Sequence, residues 1–413
     1  MELSEHFFRR ESGRLVAALT RIFGVHNLAL AEDVVQDAFC RALEVWKVRG
    51  APENPSAWLM TAAKNRALDI VRKERTARTF APEMGRLLET EWTLAPLIDE
   101  AFAAHTIQDE QLRMMFSCCH PDLPEEAQLA LILNILCGFG AGEIAGEFLT
   151  SRAAIEKRLA RGKKALAEAR TLFDLGAAQF EVRLETVRRA LYLLFNEGYH
   201  GASAESVVRA ELCEEALRLT SMLREHPPAA TPASNALAAL MCLHAARLPA
   251  RIDAAGDLSA LVDQDRSRWD KRLLAEGLAL FDHATTGEEL SPYHLEAAIA
   301  VTHASARSLE ETDWRAIVSL YDRLMAIAPS PVVALSRAVA IGQRDGAERG
   351  LEALDAITDR ERLSNYPFYP AARAEFEQRR GRRESAREHF QAALVLARND
   401  AERRFLEKRL REL

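Results

Sequence analysis

Residues 141–170 read AGEIAGEFLTSRAAIEKRLARGKKALAEAR. Ile144, Ala145 and Phe148 mark one apolar face of a first helix, and Leu149–Ser151 suits a tight turn. Ile155, Leu159, Gly162 and Leu166 then return on one stripe at helical spacing. The second helix is cationic: residues 151–170 hold seven Lys or Arg against two Glu, a balance of +5, in a chain whose formal charge is −7. Arg152, Lys157, Arg158, Arg161 and Lys164 lie off the stripe, toward solvent or a partner. Two helices joined by a short turn, the second basic on its free side, follow the helix-turn-helix plan. Its second helix fits a major groove, where Arg and Lys reach guanine edges and phosphates. An ordinary helical hairpin with a solvated basic face has the same spacing, so this stretch alone leaves DNA binding open.

A second basic helix stands upstream. Residues 31–46, AEDVVQDAFCRALEVW, form an amphipathic helix whose Val35, Phe39, Ala42 and Trp46 can face inward. Asp33, Gln36 and Asp37 make a polar patch on its other side. After the Gly- and Pro-containing loop KVRGAPENP comes SAWLMTAAKNRALDIVRKER, in which Trp58, Leu59, Ala62 and Leu68 can pack. There Asn65, Arg66, Arg72, Lys73 and Arg75 supply an amide and charge suited to base edges and phosphates. Residues 58–80 carry +4, whereas residues 81–147, with twelve acidic and two basic side chains, carry −10. Two basic helices therefore flank an acidic connector that the net charge conceals. Such a connector avoids DNA and suits a basic protein channel, although a solvated spacer has the same composition.

The remainder sets bounds. At 413 residues, 48% hydrophobic and 28% charged, the chain suits a soluble protein of two or three domains. The opening MELSEHFFRRE lacks the apolar core of a secretory signal, and no run of eighteen apolar residues suggests a membrane span. The expectation is a cytoplasmic protein without a membrane partner. Six scattered cysteines fit reduced thiols. Cys118, Cys119 and His120 in FSCCHPDLP raise the question of a metal, but adjacent cysteines cannot easily both reach one tetrahedral ion. The expectation is no metal and no cofactor, with the two thiols packed as small hydrophobes and Pro121 starting a turn.

Helical periodicity dominates throughout and Asn-Gly hairpin signals are absent, so the fold class is all-α. Beyond about residue 180 the texture becomes Ala-rich helix pairs. DWRAIVSLYDRLMAIAPSP, VVALSRAVAIGQRDG and FYPAARAEFEQRRGRRESAREHFQAALVLARND repeat one design at about 34–38 residues. This is the spacing of tetratricopeptide-like hairpins, with AERRFLEKRLREL as a charged cap.

The order of these features resembles the extracytoplasmic-function class of bacterial sigma factors. The shared features are an acidic helix, a loop, Ala-Trp-Leu, Asn-Arg-Ala-x-Asp, an acidic linker and a terminal helix-turn-helix. FSCCHPDL, LLFNEGYHG and the helical tail resemble the subgroup with a tetratricopeptide-like C-terminal extension. The resemblance implies region two over residues 5–78, an acidic linker over 79–109, region four over 110–170 and the repeat extension over 180–413. It implies that Asp33, Gln36 and Asp37 dock on the clamp helices of the largest subunit of core RNA polymerase. The loop Lys47–Asn54 would capture a flipped base of the −10 element, and Asn65, Arg66, Arg72 and Lys73 would contact its strand. Glu156, Lys157, Ala160 and Arg161 would meet the −35 element of promoter DNA, with Arg152, Arg158 and Lys164 on phosphates. The sequence departs from the class at Leu149, where a turn glycine is common, and at Glu156, where a cation or Ser is frequent. The tail is expected to regulate, through a protein partner, or else only to stabilise the modules before it.

Two other readings compete. A freestanding repressor or activator explains the helix-turn-helix but not the second basic helix with its docking helix. An enzyme would have to use Glu197, Tyr199 and His200 in FNEGYHG, where the plainer reading is a helix end with Gly198 and Gly201 permitting a turn. No catalytic motif accompanies them, so no catalytic residue is expected.

Overall fold

The computed structural model describes residues 5–77, 104–148, 150–169, 180–200, 208–253 and 257–413. Among these the protein is helical, with one isolated antiparallel bridge, Ile252 to Leu258, as its only β pairing. The expected all-α class stands. The chain divides into two compact units, residues 1–194 and 195–413, and the division falls inside one helix.

The first unit opens with α1 (Glu5–Phe23), α2 (Leu28–Arg49) and α3 (Pro55–Ala77). Every residue of α1 from Leu15 to Thr20 is buried, which makes α1 the central helix against which α2 packs. Glu11 is fully buried on it, with its carboxylate 3.0 Å from the Arg14 guanidinium. Leu28, Ala31, Val34, Val35, Ala38, Ala42 and Trp46 form the buried stripe of α2. The start of α3 is set by Asn54, whose Oδ1 accepts the Ala57 N–H at 3.0 Å, and by Pro55 in the first turn.

The inward stripe of α3 is Leu59, Ala63 and Ala67. Ala62 and Leu68, expected inside, are half-buried, and so are Trp58 and Phe39. The four-residue spacing of small alanines lets α3 approach α2 closely, and this turns the bulkier side chains toward the flanks. Phe39 meets Phe8 edge-on at 5.2 Å, and Trp58 meets Trp46 at 5.2 Å.

Then follow α4 (Ala104–Cys118), α5 (Glu125–Ile135), α6 (Ala141–Glu147), α7 (Arg152–Ala169) and α8 (Phe180–His200). Cys118 and Cys119 are buried, and burial pushes the Cys119 thiol up to about 12, so both pack as neutral thiols. The turn at Pro121 closes with the Leu123 N–H donating to the His120 carbonyl. The expected linker 79–109 lies outside the described residues except for its last part, in α4. Gly198 stands inside α8 rather than at a turn, and Gly201 lies outside the described residues. A Cβ at Gly198 would sit 2.8 Å from both the backbone nitrogen and the sulfur of Cys213, so this glycine serves close approach.

In the second unit α9 (Ala210–Glu225) and α10 (Pro232–Ala245) precede the one-turn α11 (Leu248–Arg251), α12 (Lys271–Ala284) and α13 (Pro292–Ser305). Between Ala233 and Ala245 only Asn235 and His244 of α10 are not buried, so α10 is the core helix of this unit. Then α14 (Trp314–Ile327) leads to two helix pairs, α15 (Pro331–Asp345) with α16 (Ala347–Asp355) and α17 (Phe368–Arg379) with α18 (Arg383–Val395), and α19 (Asp400–Arg411) closes the unit. The two pairs begin at Pro331 and Phe368, 37 residues apart. Asp313, Ser330 and Asn399 cap α14, α15 and α19 through side-chain oxygens. Gly342 and Gly350 lie under the ring of Phe376, where a Cβ would come within 2.3 and 2.6 Å.

Candidate nucleic-acid interface

The helix that opened the reading is α7. Ile155, Leu159, Gly162 and Leu166 are its buried stripe, as the spacing requires, and α5 and α6 support it from behind. The Ala154 N–H donates to the Ser151 hydroxyl at 3.3 Å and starts the helix. Arg152, Lys157, Arg161 and Lys164 are exposed. Lys157 and Arg161 have no ion-pair partner among the described residues. Arg152 pairs with Glu156 one turn on at 2.8 Å, so the anion that departs from the expected pattern is neutralised within α7. Arg158 is tied to Glu126 of α5 at 2.7 Å and is half-buried, a less available cation than its neighbours. Leu149 lies outside the described residues.

On α2, Asp33, Gln36 and Asp37 are exposed together, on the side opposite the buried stripe. The same outer face continues through Cys40 and Glu44 to Val48, which is 84% exposed. On α3, Asn65 is exposed, whereas Arg66 donates from Nε to Asp37 Oδ2 at 2.9 Å. A residue expected at a protein interface and one expected on DNA are thus joined in one ion pair. Arg72 and Lys73 lie in the last part of α3, where side chains are outside the described residues.

Between the end of α2 and the start of α3 lies a cleft of about 380 Å³. It is lined by Arg41, Pro52, Asn54, Trp58, Thr61 and Asn65, among others. The size falls in the range of small-molecule sites. An indole wall, two amides and a guanidinium suit a planar, hydrogen-bonding base. Sequence reasoning named the loop, Trp58 and Asn65 but missed Arg41 and Thr61. The available signal was periodic: Thr61 lies one turn from Ala57 and from Asn65 on the same face of α3.

Comparison with known proteins places these helices. The family model described as Sigma-70 region 2 matches residues 7–77, and that described as Sigma-70, region 4 matches residues 113–166. A protein named ECF RNA polymerase sigma factor SigK, from Mycolicibacterium vanbaalenii, is 26% identical over 39% of this chain and 78% of its own length. The chain belongs to the sigma-70 factors of the extracytoplasmic-function type. The sigma factor continues into a third match, a family of unknown function over residues 183–285. The uncharacterized protein R00370 of Rhizobium meliloti strain 1021 is 39% identical over 96% of this chain and 93% of its own length. No solved structure matches the sigma factor.

Region 2 of the sigma factor therefore comprises α1, α2 and α3, and region 4 runs from α4 into α7. The two are bonded to each other. Arg9 of α1 meets Glu143 of α6 at 2.8 Å, Arg21 of α1 meets Glu110 of α4 at 3.2 Å, and Lys163 of α7 meets Glu32 of α2 at 2.6 Å. A Cβ at Gly13 of α1 would lie 2.4 Å from the Leu136 carbonyl oxygen at the end of α5, so the crossing is tight. No sequence pattern announced these contacts, because each joins side chains 89 to 134 residues apart.

Proposed function

We propose that this sigma factor directs core RNA polymerase to promoters by presenting α7 to the −35 element and α3, with the α2–α3 cleft, to the −10 element. The observation that carries this reading is the construction of α7: an exposed cationic face braced by a fully buried stripe. Lys157 and Arg161 supply the best base and phosphate donors, Arg152 and Lys164 add phosphate contacts, and Arg158 stays with Glu126. In region 2 the cleft receives one unstacked base beside Trp58, with Asn65 and Arg66 following the displaced strand. Arg72 and Lys73 extend that path. Duplex opening costs about 1.4 kcal/mol per stacked step, and these contacts offset part of it. Asp33, Gln36 and Asp37 dock on the clamp helices of the polymerase.

The division into region 2, acidic linker, region 4 and a helical extension from about residue 180 belongs to the same reading. So does a tetratricopeptide-like character for the helix pairs beginning at Pro331 and Phe368, and a regulatory role for the extension toward a protein partner in the cytoplasm. Sigma-factor families are not enzymes, and the mechanism uses binding alone.

The reading also requires motion within the first unit. The −10 and −35 elements are about 25 base pairs apart by name, or roughly 85 Å at 3.4 Å per step. A helix bonded to α2 through Lys163 and Glu32 cannot meet one element while α3 meets the other. Regions 2 and 4 must therefore part on the polymerase.

Transcription in vitro with purified core polymerase tests the proposal. The sigma factor with core should initiate from a cognate promoter, and Asp37→Arg should abolish core binding while leaving the fold unchanged. Tight binding of the free protein to duplex DNA at moderate salt, or failure to co-purify with core polymerase, would overturn it.

A further inference from the structure

The second unit holds its own concentration of positive charge, and it faces inward. Tyr199 and His200 end α8, His244 lies near the end of α10, Arg247 and Arg251 flank and end α11, and His303 lies near the end of α13. The Arg251 guanidinium carbon stands 4.1 Å from the centre of the Tyr199 ring, which is itself 5.0 Å from the His244 ring and 4.7 Å from that of His200. Arg247 and Arg266 share the Trp269 indole, at 5.6 and 5.0 Å. His303 is near enough to feel both of these guanidiniums.

Burial first, and the surrounding guanidiniums second, hold these imidazoles neutral. His244 is pushed down to about 3, His303 to about 4, and His200 well below its ordinary value. Among the described residues the nearby acids are engaged elsewhere or stand in solvent. Glu197 is bonded to Arg209 at 3.0 Å, Glu402 to Arg398, and Glu310 lies beside Arg266.

No carboxylate among the described residues pairs with Arg247 or Arg251. Among the described residues the Arg247 side chain makes one long hydrogen bond, 3.4 Å to Gln264, and the Arg251 guanidinium makes none. The hydroxyl of Tyr199, Nδ1 of His244 and of His303, Nε of Arg251 and Nε1 of Trp269 are buried without hydrogen-bond partners among the described residues. Native proteins seldom leave one such group unpaired, because a buried polar group without a partner keeps its full desolvation cost. Four of them around two guanidiniums that no described carboxylate compensates point to the lining of a site rather than a core. His244, Arg247 and Arg251 are half-buried, so solvent reaches them.

We propose that Tyr199, His244, Arg247, Arg251 and His303 form a binding site for a small oxyanion, a phosphate or carboxylate group carried by a small molecule. Guanidinium forks match both groups bidentately, and Tyr199 and Trp269 hold the forks in place by cation–π contact. The neutral imidazoles complete the chemistry: an anion among them favours their charged form, so binding takes up protons. This assignment gives the extension a ligand and does not depend on how regions 2 and 4 read DNA.

Calorimetric titration of the full-length chain tests the site. The probes are inorganic phosphate and pyrophosphate in one arm and citrate in the other, at ionic strength held constant with sodium chloride. One arm should show saturable single-site binding, and the winning arm identifies the group. Arg247→Gln and Arg251→Gln should each weaken it by about 10-fold or more, whereas Arg272→Gln, at an exposed arginine of α12, should leave it unchanged. At pH 5.5, buffers of different ionisation enthalpy should reveal net proton uptake on binding. No saturable binding in either arm, or binding indifferent to both cluster substitutions, overturns the proposal. Should both variants fail to fold by circular dichroism, the wild-type protein decides: binding without proton uptake removes the histidines, and with them the site.

Discussion

On α7, Lys157 and Arg161 stand in solvent on a helix held from behind by Ile155, Leu159 and Leu166. In the second unit, Arg247 and Arg251 are half-buried over aromatic rings, among imidazoles that burial keeps neutral. The residue types are similar, but the energetics differ. An exposed cation keeps its hydration and its rotamers, costs the fold almost nothing, and contributes a small, salt-sensitive increment to any long polyanion laid across it. An inward cation has lost water and repels its neighbours until a counter-charge arrives, so it suits one compact anion bound in one place. Charge orientation, more than charge count, separates the surface proposed to meet nucleic acid from the site proposed to meet a small molecule.

The largest effect should come from stripping the outward face. Replacing Arg152, Lys157, Arg161 and Lys164 together with Ala should lower promoter-dependent transcription by about 10³-fold, as four contacts each worth roughly 1 kcal/mol are lost. The salt slope of DNA binding by the holoenzyme should fall by about 0.9 for each phosphate contact removed. Melting temperature should hardly move, because all four side chains are exposed. A large drop in stability would show that the face is structural and would break the comparison from the first unit's side.

Acid should separate the units next. Unfolded histidine takes up a proton near pH 6.5, whereas folded His244 and His303 resist until about 3 and 4. Between those values the unfolded chain binds more protons. The contribution to stability is therefore full above pH 6.5 and is lost as pH falls, by several kcal/mol in total near pH 4. Melting curves followed by circular dichroism from pH 7 to 4 should show this loss, and α7 carries no histidine that could produce it. Phosphate or citrate, whichever binds, should reduce the loss at constant ionic strength.

A smaller effect has opposite signs in the two places. Arg247→Met, in the absence of an oxyanion, should raise stability by about 1 kcal/mol at low salt, since it removes a desolvated charge while keeping volume near Trp269. Arg161→Met should change stability by less than about 0.5 kcal/mol. Chemical denaturation of both variants measures the difference.

How much of this was legible follows the range over which each signal acts. The all-α class, the α7 stripe and the exposure of Asp33, Gln36 and Asp37 rest on periodicity within one helix, and the sequence carries such information locally. The α3 stripe was displaced by one position because Ala63 and Ala67 win the inner face through closeness to α2, which is a tertiary fact. Gly198 read as a turn because glycine marks both turns and close contacts, and only the Cys213 backbone distinguishes them. The bonds between regions 2 and 4 and the arginine–histidine cluster were invisible for one common reason. Arg247 and Arg251 belong to a four-residue helix and its edge, and His303 comes from a helix about fifty residues on; no spacing rule links them.

The finest test concerns the one place where outward charge is already paired. Arg66 and Asp37 are 43% and 54% exposed at their 2.9 Å contact, so solvent screens the bond and side-chain entropy opposes it. A double-mutant cycle with Asp37→Asn and Arg66→Gln should give a coupling of about 0.2–1 kcal/mol in the free protein. The pair thus contributes little to the fold, yet it occupies one of the cations proposed to contact the −10 strand. Releasing it by Asp37→Asn should strengthen binding of single-stranded −10 DNA by the free protein about two- to five-fold, within the same energy range. Core-polymerase affinity should weaken in that variant, because the carboxylate is lost from the proposed docking face. If strand binding is unchanged, Arg66 belongs to α2 and not to DNA, and the outward face of α3 reduces to Asn65 and the residues beyond it. A coupling above about 2 kcal/mol would place this pair with the inward cluster, as charge that the fold cannot release.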